Sequence, residues 1–164
     1  MLFSLTSLGQ DNSAPSSAGQ LYEQATHKDW KILCLNSGQE KDPCHLYQLL
    51  RDPDGHPTAE IAIHRVYGQE GISAAATVLT PLETLLTANL EFQFDGQTVS
   101  TYPFSWCHRR GCNVRIALTD DDILSMKKFG SGKIRIETIA SPGSKIALQV
   151  SYLGFTAAFT SLAE

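Results

Sequence analysis

Residues 90–104 read LEFQFDGQTVSTYPF. Leu90, Phe92 and Phe94 fall on one side of an extended chain, and Glu91 and Gln93 on the other. A period of two marks a strand with one face on a core. Asp95-Gly96 follows at once. That pair favours the positive φ angles of a two-residue type I′ turn, so the chain is predicted to return from Val99 to Phe104 as a hairpin.

The same alternation recurs on both sides of this segment. Trp30, Ile32 and Cys34 share a face, opposite Lys31, and His45–Leu50 is a short apolar run. Asp52-Pro53-Asp54-Gly55 is a turn signal, and Glu60–Val66 alternates again. Residues 72–79 (ISAAATVL) form a small-residue stretch that fits a buried strand, and Pro81–Leu86 fits either a turn or a short helix. Downstream, Val114, Ile116 and Leu118 alternate, as do Ile134 and Ile136, and then Ile146, Leu148, Val150 and Tyr152 after a Pro142-Gly143 turn. Eight or so short strands with close turns predict an all-β fold, a β-sandwich or a curled barrel. We take the mainly antiparallel β-sandwich, with one short helix and a C-terminal helix. No internal repeat of fixed period is present.

The two helices have separate signatures. Thr119 can cap free N–H groups, and Asp120, Asp121 and Asp122 suit the positive end of a helix dipole. Lys127 and Lys128 suit its other end, and Gly130 is expected to stop it. Near the C-terminus, Phe155, Ala158, Phe159 and Leu162 form one apolar stripe, predicted to be core. Small Ala157 and Ala158 are expected to let the helix approach the sheet closely.

A chain of 164 residues is most simply one domain. Residues 1–26 are read as a flexible leader or signal-peptide remnant, and 27–164 as the sandwich domain. The segment 10–20 (QDNSAPSSAGQ) has almost nothing to bury. Met1–Leu8 (MLFSLTSL) lacks Lys and Arg and is short for an export signal. Either it is the tail of a signal that begins upstream, or the chain is cytosolic with free thiols. Net charge is −4, which argues against general nucleic-acid binding. The sequence has no run of eighteen apolar residues, so no transmembrane helix is expected.

The four cysteines favour export. Cys34 and Cys44 form one local pair, and Cys107 and Cys112 another. An even count at short spacing predicts two structural disulfides and an oxidising compartment. Neither spacing matches a zinc knuckle, although His45 and His108 adjoin cysteines. A thiol-redox centre prefers Cys-x-x-Cys opening a helix, whereas Cys112 opens a strand. No metal is expected.

Catalytic signatures are missing. The sequence contains no Gly-x-Ser-x-Gly elbow, phosphate-binding loop or His-Glu-x-x-His. The three consecutive aspartates fit a helix cap better than a calcium loop. No catalytic residue and no cofactor is therefore expected. His108-Arg109-Arg110 is a basic cluster between two cysteines, with Trp106 at its base. A disulfide-closed loop would hold it outward to grip an anionic group on a lipid, glycan or partner protein. The plainer alternative is a solvated loop.

Three segments carry a resemblance. Trp30-x-Ile32-x-Cys34, with Cys44 and the strand through Gln48, resembles the opening of the invasion-associated locus B proteins. Phe104-x-x-Cys107-x-x-x-Gly111-Cys112 resembles a second element of that family. Tyr152-Leu153-Gly154-Phe155-Thr156-Ala157-Ala158-Phe159 is similar to its closing motif. The resemblance runs from Trp30 to Leu162. Where family members carry a Leu-Pro-x-Gly-Val-like segment, this chain has Leu79-Thr80-Pro81-Leu82-Glu83-Thr84, without glycine. The resemblance implies a small exported β-rich protein of Gram-negative bacteria. It transfers no catalytic residue and no role in invasion. The expected function is non-catalytic binding of an unknown envelope or host-surface partner by a periplasmic, outer-membrane-associated or secreted protein. The alternatives are a small periplasmic hydrolase or isomerase, or a chaperone-like periplasmic factor.

Overall fold

The computed structural model describes residues 18–94, 96 and 98–162. The strands, in chain order, are β1 Leu21–His27, β2 Trp30–Leu35, β3 Cys44–Arg51, β4 Pro57–Arg65, β5 Ile72–Thr80, β6 Leu90–Gln93, β7 Val99–Tyr102, β8 Phe104–His108, β9 Gly111–Thr119, β10 Ser131–Glu137 and β11 Lys145–Ser151. They form two antiparallel sheets and no closed barrel. The larger has the order β1-β2-β3-β4-β5-β9-β8, and the smaller β11-β10-β6-β7.

The alternating apolar residues decide how the sheets stack. Ile32, Leu46, Ile61, Ile63, Val78, Val114 and Ile116 come from the larger sheet, and Leu90, Phe92, Ile134, Leu148 and Val150 from the smaller. All join one buried cluster, the sandwich core. Gln48 is one of the buried polar residues and has its bonds made. Its amide nitrogen donates to the Ser151 carbonyl (3.0 Å), and its oxygen accepts from the Ser151 N–H (2.9 Å). The indole N–H of Trp30 donates to the same carbonyl at 2.8 Å. These bonds tie β2 and β3 to β11, so the buried polar groups orient the two sheets.

Pro103 divides what the sequence suggests is one strand. Residues before it form β7 in the small sheet, and residues after it form β8 in the large one. Proline has no N–H to extend a ladder, so the chain changes sheets there. The hairpin of β6 and β7 forms as expected, with a different turn. Gln93 pairs with Val99, which centres the connection on Gly96 (φ 80°) rather than between residues 95 and 96. Asp95 itself lies outside the described residues.

A strand lies where the leader was expected. Leu21–His27, of which residues 21–26 are assigned above to the leader, is an edge strand antiparallel to β2, with a bulge between Glu23 and Ala25. Tyr22 and Ala25 pack on the core, a pattern the bulge hides from a strict period of two. Residues 1–17 lie outside the described residues. In the glycine-free segment, Thr84 is buried and its hydroxyl donates to the Pro81 carbonyl at 2.7 Å. A single 3-10 turn, Leu86–Ala88, follows.

Helix α1 spans Asp120–Lys128 and begins with a full capping box. The Thr119 side chain accepts from the Asp122 N–H, and the Asp122 carboxylate accepts from the Thr119 N–H. The helix does not stop at a left-handed Gly130. Phe129 is already extended, at φ −90° and ψ 162°, and leads into β10. Helix α2, Phe155–Ser161, starts after Gly154 and buries Phe155, Ala158 and Phe159, while Ala157 is exposed. Arg65 holds its far end: the guanidinium donates to the Phe159 carbonyl at 2.8 Å and lies 4.0 Å over its ring.

Candidate functional site

The basic cluster sits on a hairpin with a two-residue turn in the large sheet. Cys107 pairs with Cys112 and His108 with Gly111, which leaves Arg109 and Arg110 as the turn. The Cys107–Cys112 disulfide bridges the two strands, and Cys34–Cys44 bridges β2 and β3 in the same way. Gly111 presses against the end of β5, where an added Cβ would lie 2.1 Å from the Thr80 carbonyl oxygen. Only glycine allows that approach.

The structure separates the four residues of the cluster. A bulge between Phe104 and Trp106 places Trp106 opposite Asn113 on the outer face of the sheet. Trp106 is 41% exposed, with the Arg115 guanidinium 4.8 Å above its ring. Arg109 is exposed at the tip. His108 and Arg110 instead line a hollow of about 460 Å³ on the outer sheet face. Arg110 reaches the Glu60 carboxylate at 3.2 Å, and its backbone N–H donates to His108 Nδ1 at 3.0 Å.

The hollow follows from the cross-strand rows. Tyr47, Ala62, Thr77 and Arg115 form one row, and Glu60, Leu79, Asn113 and Trp106 the next. Small Ala62 and Thr77 keep the floor low between larger neighbours. Burial pushes the Tyr47 phenol up, and the negative charge of Glu60 adds to it. Asn113 is buried although it faces outward.

Beside this row the rings of His45 and His64 lie 4.9 Å apart. Burial lowers both pKa values, and the neighbouring His64 lowers that of His45 further. The neutral rings suit the fold, whereas the unfolded chain takes up protons below about pH 6.5. Stability is therefore expected to be full above that pH and to fall as the pH drops towards the depressed folded values. Thermal melts of wild type and His45→Gln/His64→Gln from pH 7.5 to 5 check this. The variant should show a shallower loss, and equal slopes would remove the pair as its source.

At the β3–β4 turn, Asp52, Asp54 and His56 bring ligand atoms within 4.8 Å of one another. The arrangement belongs to the turn. Asp52 accepts from the N–H groups of Asp54 (3.0 Å) and His56 (2.9 Å), which lower its pKa.

The family model described as "Invasion associated locus B (IalB) protein" matches residues 30–163. The chain belongs to this family. Among solved structures, the fold is similar to invasion associated protein b from Bartonella henselae. The TM-score is 0.68 at 23% identity, covering 85% of this chain and 93% of that one. No curated protein matches. The matched span of this IalB-family chain includes both disulfides, the basic hairpin and the lining of the hollow apart from Leu21.

Tyr47, Glu60 and Asn113 escape sequence reasoning. Each sits at an outward strand position, where polar residues are ordinary. The available signal was Ala75 and Thr77 in β5, small residues on the face opposite buried Ala76 and Val78.

Proposed function

We propose that this IalB-family chain is an exported envelope protein, periplasmic, outer-membrane-associated or secreted, that binds an envelope or host-surface partner without catalysing a reaction. Its leader lies ahead of a single sandwich domain. The observation that carries this reading is the disulfide-closed β8–β9 hairpin, which presents Arg109 and Trp106 outward on a rigid support. A preorganised Arg and an exposed aromatic side chain are the residue types enriched where proteins grip partners. The nearby acid–base groups are engaged with one another, Glu60 with Arg110 and His108 with the Arg110 N–H. That pattern fits recognition better than turnover. Two bridged pairs also fit an oxidising compartment.

Capture from envelope extract by immobilised protein tests the reading. The double variant Trp106→Ala/Arg109→Ala should retain the fold and lose about tenfold or more in capture of a defined partner. Wild-type capture should weaken with salt, as an arginine contact requires. Equal capture by the variant would overturn the reading.

A further inference from the structure

The hollow beside the hairpin holds a buried hydrogen-bond donor that no acceptor in its lining takes. Asn113 is 5% exposed and lines it, yet its Nδ2 has no hydrogen-bond partner among the described residues. An unpaired amide N–H is costly in a buried position, and native folds leave few of them. His108 adds a second donor. Its Nδ1 accepts from the Arg110 N–H, so the neutral ring carries its proton on Nε2. Arg110 adds a third, because Glu60 engages one terminal nitrogen and the fork has further N–H groups. Glu60 is the carboxylate in the lining, and Arg110 already occupies it. The Tyr47 and Thr77 hydroxyls in the lining are neutral acceptors, and neither takes the Asn113 N–H. What the hollow lacks is a charged acceptor for these donors.

We propose that this hollow binds a small ligand through an oxyanion, a carboxylate or a phosphate, held by Asn113 Nδ2, His108 Nε2 and the Arg110 guanidinium. The inference rests on the hairpin face being a binding surface, and it names the chemistry that the face selects. Several converging donors match an oxyanion, which offers acceptor lone pairs in several directions. The volume of about 460 Å³ suits a small molecule or a single head group. Asn113 is then a specificity residue: its amide gains a partner only when the site is filled.

The test uses the full chain and three probes: sodium phosphate, sodium acetate, and phosphatidylglycerol vesicles set against phosphatidylcholine vesicles. Calorimetry and thermal melts are recorded for wild type, Asn113→Ala and Arg110→Gln. At least one oxyanion probe should bind wild type and raise its melting midpoint. Each variant should bind that probe about tenfold more weakly or worse. Without ligand, Asn113→Ala should melt no earlier than wild type, because it removes an unpaired buried donor. Binding of the free ions points to a soluble ligand, and binding of the anionic vesicles alone to a lipid head group. Failure of every probe, or unchanged binding by Asn113→Ala, overturns the inference. A lower midpoint for ligand-free Asn113→Ala also overturns it, since the amide would then already be paired. If envelope capture still depends on Trp106 and Arg109 while no probe binds, the oxyanion site fails and the partner-binding reading stands. If a probe binds through Asn113 while capture ignores Trp106 and Arg109, the reverse holds.

Discussion

Phe155→Ala is expected to lower folding stability by about 3–5 kcal/mol, the usual cost of deleting a large aromatic side chain from a closed core. Phe155 is fully buried. Its ring meets Trp30 edge-on at 5.4 Å and stacks on Phe159 at 5.3 Å, with Tyr152 at 6.3 Å. Trp30 in turn is fixed to β11 through Ser151, so a cavity here loosens the join between the sheets. Helix α2 has seven residues and cannot persist without this contact. At about 2–4 °C per kcal/mol for a chain of this size, the melting midpoint should fall by about 10 °C. Phe159→Ala should act in the same direction, with loss of the Arg65 stacking as well. Urea denaturation of both variants measures the effect. A loss below about 1 kcal/mol would contradict the burial argument. A variant that kept its stability but lost partner capture would make α2 the functional surface.

The aromatic cluster was legible because several local signals agreed. Phe155, Ala158 and Phe159 have helical spacing, and Trp30, Ile32 and Cys34 have strand spacing; both sets are buried. The strands in the middle of the large sheet were legible for the same reason. The errors fall where the physics is not periodic. The bulge in β1 breaks the alternation that would have marked Leu21–His27 as a strand. Pro103 passes as a strand interruption only once its two sides are seen in different sheets. The Asp95-Gly96 signal named the hairpin correctly, while the register of Gln93 and Val99 fixed a different turn.

The site was legible only in its covalent part. The cysteine spacing announced a closed loop around His108, Arg109 and Arg110, and the disulfide closes it. What the loop faces depends on cross-strand neighbours far away in sequence. Glu60 meets Arg110 across fifty positions, and Asn113 is buried because Leu79 and Trp106 flank it. An outward polar residue buried by its neighbours carries no local mark. The same reasoning explains why the four expected residues divided, with Arg109 and Trp106 outside the lining of the hollow, and His108 and Arg110 within it.

Gly154→Ala is expected to cost about 2–5 kcal/mol from two independent causes. Gly154 has φ +85°, in the left-handed region where a side chain costs about 1–2 kcal/mol. An added Cβ would also lie 2.0 Å from the His27 carbonyl oxygen and 2.6 Å from its carbon. Both are backbone atoms, so no side chain can rotate away. His27 ends β1, and the β1–β2 turn is itself held to this segment, because the Asp29 N–H donates to the Leu153 carbonyl at 3.3 Å. The methyl group would push the first hairpin away from the start of α2 and expose the Trp30–Phe155 contact beneath. Gly143→Ala isolates the first cause. Gly143 has φ +80°, and nothing lies within 4 Å of its added Cβ. That control should lose only about 1–2 kcal/mol, while Gly154→Ala loses clearly more. Equal losses in parallel denaturation curves would mean that β1 does not close against Gly154. Residues 21–27 would then contribute little to the stability of the sandwich.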